Sequence, residues 1–387
     1  MKAWLAVGLL WFVGLLNYLD RQVIFSVFPL LKADLELTDA DLGLAGAAFL
    51  WVYSLMSPIA GFAGDKFGHK PVIVASLLVW SIVTWATGQA ANLSQLVAAR
   101  AAMGIAEAFY LPAALALIAS HHSEGTRGLA TGLHFSGIYV GVVLGGWGGG
   151  WLGATYGWRF PFLFLGAIGV AYSLVLVALP ATIAKNQSPS PPFVTAALTL
   201  LKTPGFPRVA LVFGIFSVAG WLVAAWMPAF LYEKFSMTLA QAGFNATFYV
   251  QAASVLGILL GGPLGDRWRS RRVQALGLAV AAPFLFLAGF TALPWLVLLG
   301  LAVFGLGRGA YDANNMPVVC ELVPAELRAT AYGFLNCVGT LVGGTVAYGA
   351  GTMKAAFGLS VMLELAGALL VVGAVVLWRL GKRPLQL

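Results

Sequence analysis

The chain has 387 residues, 60% of them hydrophobic and only 9% charged, with a mean hydropathy of +0.89 and a formal net charge of +8. Soluble domains carry about 25% charged residues, so the composition excludes a soluble globular protein and implies a polytopic membrane protein. Cys320 and Cys337 suggest neither a disulfide framework nor a metal site, and the basic balance reflects membrane topology rather than nucleic-acid binding.

Apolar runs long enough to cross a bilayer predict twelve spans, near 4–31, 40–63, 71–90, 93–119, 127–154, 158–180, 208–232, 239–264, 273–292, 294–320, 328–352 and 357–378. The first is not read as a signal peptide, because its apolar run continues past Asp20 to Leu31 with no small-residue cleavage site after it. It contains NYLDR (17–21), which sets Asp20 and Arg21 side by side in apolar sequence. The acidic loop DLELTDAD (34–41) reads as a solvated helix cap rather than a cation trap. Arg100 and Glu107 share a face of the fourth span, two turns apart. The fifth carries His134 and, spaced by four, Gly137, Gly141 and Gly145, a face for close packing against a neighbouring span. The stretch 181–207, with NQSPSPP inside it, is polar and Pro-rich and reads as a linker between six spans in 1–180 and six in 208–387. In the tenth span Arg308, Tyr311, Asp312 and Asn315 fall on one polar stripe; Glu364, in the twelfth, reads as structural.

Orientation follows from Lys and Arg. With the N-terminus inside, fifteen fall on the inner side, four (Lys32, Arg159, Lys234, Lys354) outside, and Arg21, Arg100 and Arg308 within spans. The positive-inside rule places both termini in the cytoplasm, in what is expected to be a bacterial inner membrane. The halves also repeat. GFAGDKFGHK (61–70) is echoed by GPLGDRWRSR (262–271), RGLATG (127–132) by RATAYG (328–333) and GIAEAFY (104–110) by GLGRGAY (305–311), all at an offset of 201. Two parallel six-span repeats are the layout of a two-bundle transporter.

These features together resemble the major facilitator superfamily. The loop after the second span matches its best-known signature at Gly61, Gly64, Asp65, Lys66, Gly68 and Lys70, with His69 where Arg is usual. Asp266 and Arg267 stand in the matching loop of the second half, so both loops are expected to belong to inner gates. Arg100 and Gly104 resemble a second signature. The resemblance implies an all-α membrane protein, twelve transmembrane helices in two pseudo-symmetric six-helix bundles, with spans 1, 4, 7 and 10 lining a central cavity. A narrower likeness to anion–cation symporters rests on NYLDR, GIAEA (104–108), RGLATG and YGWR (156–159). It implies that Arg21 holds a substrate carboxylate and that Asp20 and Glu107 take protons. Spinster-type lipid transporters share NYLDR and the GxxEAxY pattern around Glu107, which keeps a lysophospholipid or sphingolipid carrier open as the alternative.

Elementary chemistry agrees with the roles. A charge at mid-membrane costs about 2.5–3.5 kcal/mol on insertion scales and usually faces a cavity or a partner. Consecutive helical residues do not face each other, so Asp20 and Arg21 must each look elsewhere; tying down Arg100 is one structural alternative for Asp20. Arginine does not deprotonate and its fork suits a carboxylate, whereas carboxyls titrate. Asp20, adjacent to Arg21, is expected to be the more acidic of the two. Tyr18, Tyr110, Tyr139, Asn314 and Asn315 are candidate substrate hydrogen-bonders. His134 is a candidate proton relay, against the plainer reading of a packed histidine. Arg100, Arg308 and Asp312 are cavity charges, the last two able to satisfy each other.

There is no Walker-type loop and no catalytic constellation. The expectation is a secondary transporter rather than an enzyme, without cofactor or metal, driven by a proton gradient. Its partners would be a small organic anion or a lipid and the bilayer, and it would act as a monomer.

Overall fold

The computed structural model of the protein describes residues 2–178, 193–324 and 327–380, and their side chains except at 2, 58, 61–66, 124, 125, 127, 128, 178, 193, 194, 196 and 329. The gate-motif side chains of Gly61, Gly64, Asp65 and Lys66, and the Pro-rich part of the expected linker, thus lie outside the described residues.

Prolines cut three of the expected spans in two. Helix α1 (Lys2–Ser26) stops at Val27, and α2 (Phe28–Asp34) begins with Pro29 in its first turn. Helix α5 (Leu93–Ala108) stops at Phe109 before α6 (Tyr110–His121), which contains Pro112. A proline has no N–H to donate to the carbonyl four residues back and its ring crowds that carbonyl, so the α5 ladder ends at Ala108. Helices α13 (Pro294–Ala313) and α14 (Asn315–Leu322) part at Asn314 in the same way, four residues short of Pro317 being Ala313.

The remaining helices, numbered in chain order, are α3 (Asp39–Phe67), α4 (His69–Thr87), α7 (Glu124–Tyr156), α8 (Arg159–Val175), α9 (Phe193–Lys202), α10 (Phe206–Phe235), α11 (Leu239–Trp268), α12 (Ser270–Phe290) and α15 (Arg328–Leu380). The 53 residues of α15 would run ~80 Å as one straight helix, over twice the ~30 Å hydrocarbon thickness. Gly358, at φ +72°, breaks it into the expected eleventh and twelfth spans. Among the described residues ten helical segments are long and apolar enough to cross a membrane; one of them is this double span, and the 17-residue α8 brings the count to the twelve expected. Helix α9 departs from the sequence reading, which took all of 181–207 as linker. Its ten residues FVTAALTLLK are free of proline and mostly apolar, so they form a helix of their own.

The chain divides into two compact units. The first takes Met1–Gln187 with Pro228–Phe244 and Ala347–Gly351; the second takes the rest. Within the first, α1 lies along α7. The expected glycine face is what allows it: a Cβ at Gly137 would stand 2.5 Å from the Trp11 carbonyl, one at Gly145 2.7 Å from the Leu19 carbonyl, and one at Gly141 would overlap the Leu15 carbonyl. Because the obstacle is backbone, no rotamer relieves it. Gly141→Val is expected to destabilise the fold by at least ~1–3 kcal/mol, seen as a lower melting temperature of the purified protein; an unchanged melting temperature would show that the helices can separate freely here.

YGWR acts at one end of this unit. Gly157, at φ +85°, ends α7. The Trp158 indole donates to Asp34 Oδ2 at 2.9 Å and Arg159 Nη1 donates to the same oxygen at 2.5 Å, while Arg159 Nη2 reaches the Ala90 carbonyl at 3.3 Å. The end of α2, the turn after α4 and the start of α8 are thereby joined. The Trp158 and Arg159 donors hold the Asp34 carboxyl below its usual range, so what this contact adds to stability is complete above the ordinary carboxylate pKa and is lost as pH falls. The acidic loop is a cap in part, as read. Thr38 Oγ1 accepts from Asp41 N–H at 3.2 Å while Asp41 Oδ2 accepts from Thr38 N–H at 2.9 Å, a reciprocal cap on α3.

In the second unit α12 and α13 pair closely where Gly277 and Gly307 meet. Tyr311 is buried there and stacks on Phe216, with ring centroids 4.3 Å apart.

Candidate functional site

Four helices of the first unit converge on a buried cluster of charge. Helix α1 contributes Asn17, Tyr18, Asp20 and Arg21, α3 contributes Phe49 and Tyr53, α4 contributes Trp80 and Thr84, and α5 contributes Arg100, Met103 and Glu107. Gly104 sets the spacing of α3 and α5. A Cβ there would stand 2.5 Å from the Phe49 carbonyl and 3.0 Å from the Tyr53 nitrogen, so only glycine lets the aromatic face of α3 come this near the charged face of α5.

Arg21 is paired. Its Nε donates to Glu107 Oε2 at 2.5 Å, with the glutamate fully buried. Three rings enclose the guanidinium, with centroids 4.7 Å (Tyr18), 5.0 Å (Phe49) and 4.5 Å (Tyr53) from Cζ, each offering a cation–π contact. Arg100 is fully buried and lies on the same Phe49 ring at 4.8 Å. Among the described residues its Nη1 reaches only the Met103 sulfur, a weak acceptor, at 3.0 Å, and its Nε and Nη2 have no hydrogen-bond partner. Glu107 Oε1 also lacks one, although Asn17, one turn before Arg21, approaches this carboxyl. A buried cation with idle donors is costly to maintain, which makes Arg100 a ready partner for an anion.

Asp20 turns the other way. Thr84 Oγ1 donates to its Oδ2 at 3.4 Å, and the buried Trp80 lies beside the same carboxyl. No ion pair joins it to Arg100 or Arg21 among the described residues. The expected ordering of the two acids therefore loses its basis. Adjacency in sequence put Asp20 next to Arg21, but neighbours on a helix diverge by about 100°, and Arg21 meets Glu107 instead. With both acids ionised the cluster is neutral, two arginines against two carboxylates; protonating either acid leaves it at +1.

The other predicted residues are placed as follows. Tyr110 is buried with its hydroxyl donating to the Leu10 carbonyl at 2.8 Å. His134 is fully buried against Gly14 and the edge of the Tyr110 ring, in the apolar layer that also holds Leu10, Val13, Trp80 and Leu117. Tyr139 is half-buried on α7. Arg308, Asp312, Asn314 and Asn315 belong to the second unit. Arg308 Nε and Asp312 Oδ2 are 3.5 Å apart, the self-satisfied i,i+4 pair. Asn315 donates to Asp312 at 3.3 Å and accepts from Gln274 at 2.7 Å. Asn314 donates to the Gly261 and Ala310 carbonyls, both at 2.9 Å, filling the break between α13 and α14. Gly68, at φ +84°, starts the turn into α4, and Lys70 donates to the Val177 carbonyl at 2.7 Å. Asp266 and Arg267 are in the last turns of α11.

Sequence reading missed Phe49, Tyr53, Asn17, Trp80 and Thr84. Only Asn17 carried a signal, through its i,i+4 spacing to Arg21 inside NYLDR. The others look like ordinary residues of apolar spans.

The profile described as Major Facilitator Superfamily matches residues 10–244 and 209–386. A relative from Mycolicibacterium smegmatis, an MFS-type efflux pump, is 30% identical over 88% of this chain and 83% of its own. A D-galactonate transporter from Escherichia coli O6:H1 is 27% identical over 96% of this chain and 94% of its own. A crystal structure of a bacterial homologue of the human lysosomal transporter Spinster, inward-facing and occupied, superposes with a TM-score of 0.84 at 21% identity, over 100% of this chain and 98% of that one. An all-helical chain of twelve apolar spans, matched by the family profile in both of its halves, belongs to the Major Facilitator Superfamily and is an integral membrane transporter.

Proposed function

We propose that the protein is a proton-coupled symporter of a small organic anion, a sugar acid or similar carboxylate. The observation that carries this reading is the pair of arginines on one Phe49 ring, one closed by Glu107 and the other, Arg100, with buried Nε and Nη2 donors that no described group accepts. A carboxylate can accept from Arg100 and, once Glu107 takes a proton, replace it on Arg21, whose planar fork suits a carboxylate. Two anions cannot share Arg21 in a low-dielectric site, so proton uptake and substrate binding favour each other. Asp20, apart from the arginines, is a second proton carrier. The relative named for D-galactonate, itself a carboxylate, supports this substrate class. Alternating access would supply transport, with the ends of α3 and α11 that carry Asp65 and Asp266 as inner gates; the Lys and Arg bias supports cytoplasmic termini.

The test is a thermal-shift screen of the purified protein against D-galactonate, other organic anions and lysophospholipids. A ligand that binds the folded state at a hundred times its Kd stabilises by ~2.7 kcal/mol. An organic anion is expected to raise the melting temperature, more at lower pH. A response to lysophospholipid alone would overturn the organic-anion reading in favour of a lipid carrier.

A further inference from the structure

The second unit carries a basic pocket that shares no residue with the charge cluster of the first. At one end of it the first turn of α10 and the last turn of α15 come together, and Arg208, Val376, Arg379 and Leu380 line a pocket of about 270 Å³. Both arginines are exposed, and neither has an acidic partner among the described residues. Arg271 nearby is different: its Nε holds Glu321 at 2.8 Å and its Nη1 donates to the Leu380 carbonyl at 3.4 Å, so the adjacent acid is already taken. Arg267, Arg269 and Arg272, at the junction of α11 and α12, and Arg328, at the start of α15, add no compensating negative charge.

The position and lining of the pocket narrow the class of ligand it suits. The candidate span of α10 begins at Phe206 and that of α15 ends at Leu380, so by length and composition the pocket lies at the end of two spans, near the membrane–water boundary. Trp378 is exposed beside it, an aromatic typical of this level. Helix α9, which leads into α10, exposes Leu198 and Leu201 and ends on Lys202, the make-up of a helix resting on a membrane surface. The walls are of two kinds, guanidinium forks matched to phosphate oxygens and an aliphatic pair with nothing to offer a soluble anion. Pockets for whole drug-sized ligands run from about 300 to 1,000 Å³; this one is of headgroup size.

We propose that Arg208 and Arg379 hold the phosphate of an anionic phospholipid headgroup, with Val376 and Leu380 against its glycerol and upper acyl chain. The lysine and arginine bias places this end at the cytoplasmic leaflet, where basic pockets between spans bind such headgroups.

The experiment titrates the purified full-length protein in detergent with dioleoyl phosphatidylglycerol, dioleoyl phosphatidylcholine or inorganic phosphate, reading the melting temperature. Phosphatidylglycerol is expected to raise it above the level in phosphatidylcholine, with no rise in millimolar inorganic phosphate. Arg208→Gln/Arg379→Gln is expected to weaken the apparent affinity for phosphatidylglycerol roughly twenty-fivefold, about fivefold per arginine, with an unchanged melting temperature in phosphatidylcholine. If the double variant does not fold, the single variants carry the test at about fivefold each. Equal responses to the two lipids, or wild-type affinity in the variants, would overturn the proposal. A matching rise with inorganic phosphate would make this a site for soluble anions and overturn the lipid assignment.

Discussion

Arg21→Lys is expected to weaken binding of the organic anion at least tenfold, about 1.4 kcal/mol, and Arg21→Ala further, in the range of ~2–5 kcal/mol for removing one member of a buried charge pair. The reason is geometric. The Tyr18, Phe49 and Tyr53 rings present flat faces at 4.5–5.0 Å to a flat guanidinium, and an ammonium on a flexible stem neither fills that space nor offers two parallel donors. Arg21→Ala also strands Glu107, which is fully buried, so lost binding in that variant alone could reflect a disturbed fold. The double variant Arg21→Ala/Glu107→Gln removes both charges at once and separates the two effects: it is expected to keep the wild-type melting temperature without ligand and to bind the anion far more weakly than wild type, through Arg100 alone. The measurement is ligand titration of the purified protein at fixed pH. Wild-type affinity in Arg21→Lys and in the double variant would show that the anion is held elsewhere.

The second large effect belongs to Glu107→Gln, a mimic of the protonated acid that leaves Arg21 without its anion. In wild type, binding should strengthen as pH falls, because the proton that neutralises Glu107 frees Arg21 for the substrate. In the variant this dependence should flatten, since nothing remains on Arg21 to neutralise. Substrate should still bind and still exchange across the membrane of proteoliposomes. Accumulation driven by a pH gradient should be lost, because no proton then crosses with the substrate at this site. Asp20→Asn serves as the partner experiment, and its milder expected loss follows from the lack of an ion pair at that carboxyl. If both variants keep full accumulation in a pH gradient, the acids are structural and the carrier uses another coupling path.

The cluster also explains why resemblance alone leaves small anion and lipid open together. NYLDR and the pattern around Glu107 place the arginine and the acid on their helices. They say nothing of what the guanidinium touches, and that contact decides whether it is available to a ligand.

The twelve spans, their pairing into halves at an offset of 201 residues and the points at which charge enters the membrane were legible in the sequence. They follow from hydropathy and spacing, which act locally, and hydrocarbon tolerates so few charges that each one stands out. The face of Gly137, Gly141 and Gly145 was legible for the same reason, a period of four in small residues, though not that its partner is α1. Tertiary structure alone decided who meets whom. Asp20 and Arg21 are adjacent in the chain yet diverge to Thr84 on α4 and Glu107 on α5, because a helix sends consecutive side chains about 100° apart and only packing determines which neighbour waits there. Phe49 and Tyr53 read as ordinary apolar-span residues until Gly104 brings α3 against α5 and turns them into walls around two arginines. Asn314 read as a residue for the substrate, but its amide goes to the Gly261 and Ala310 carbonyls at the break before Pro317. A proline announces itself in sequence; the side chain that satisfies the backbone it frees does not, since that depends on which helix lies alongside.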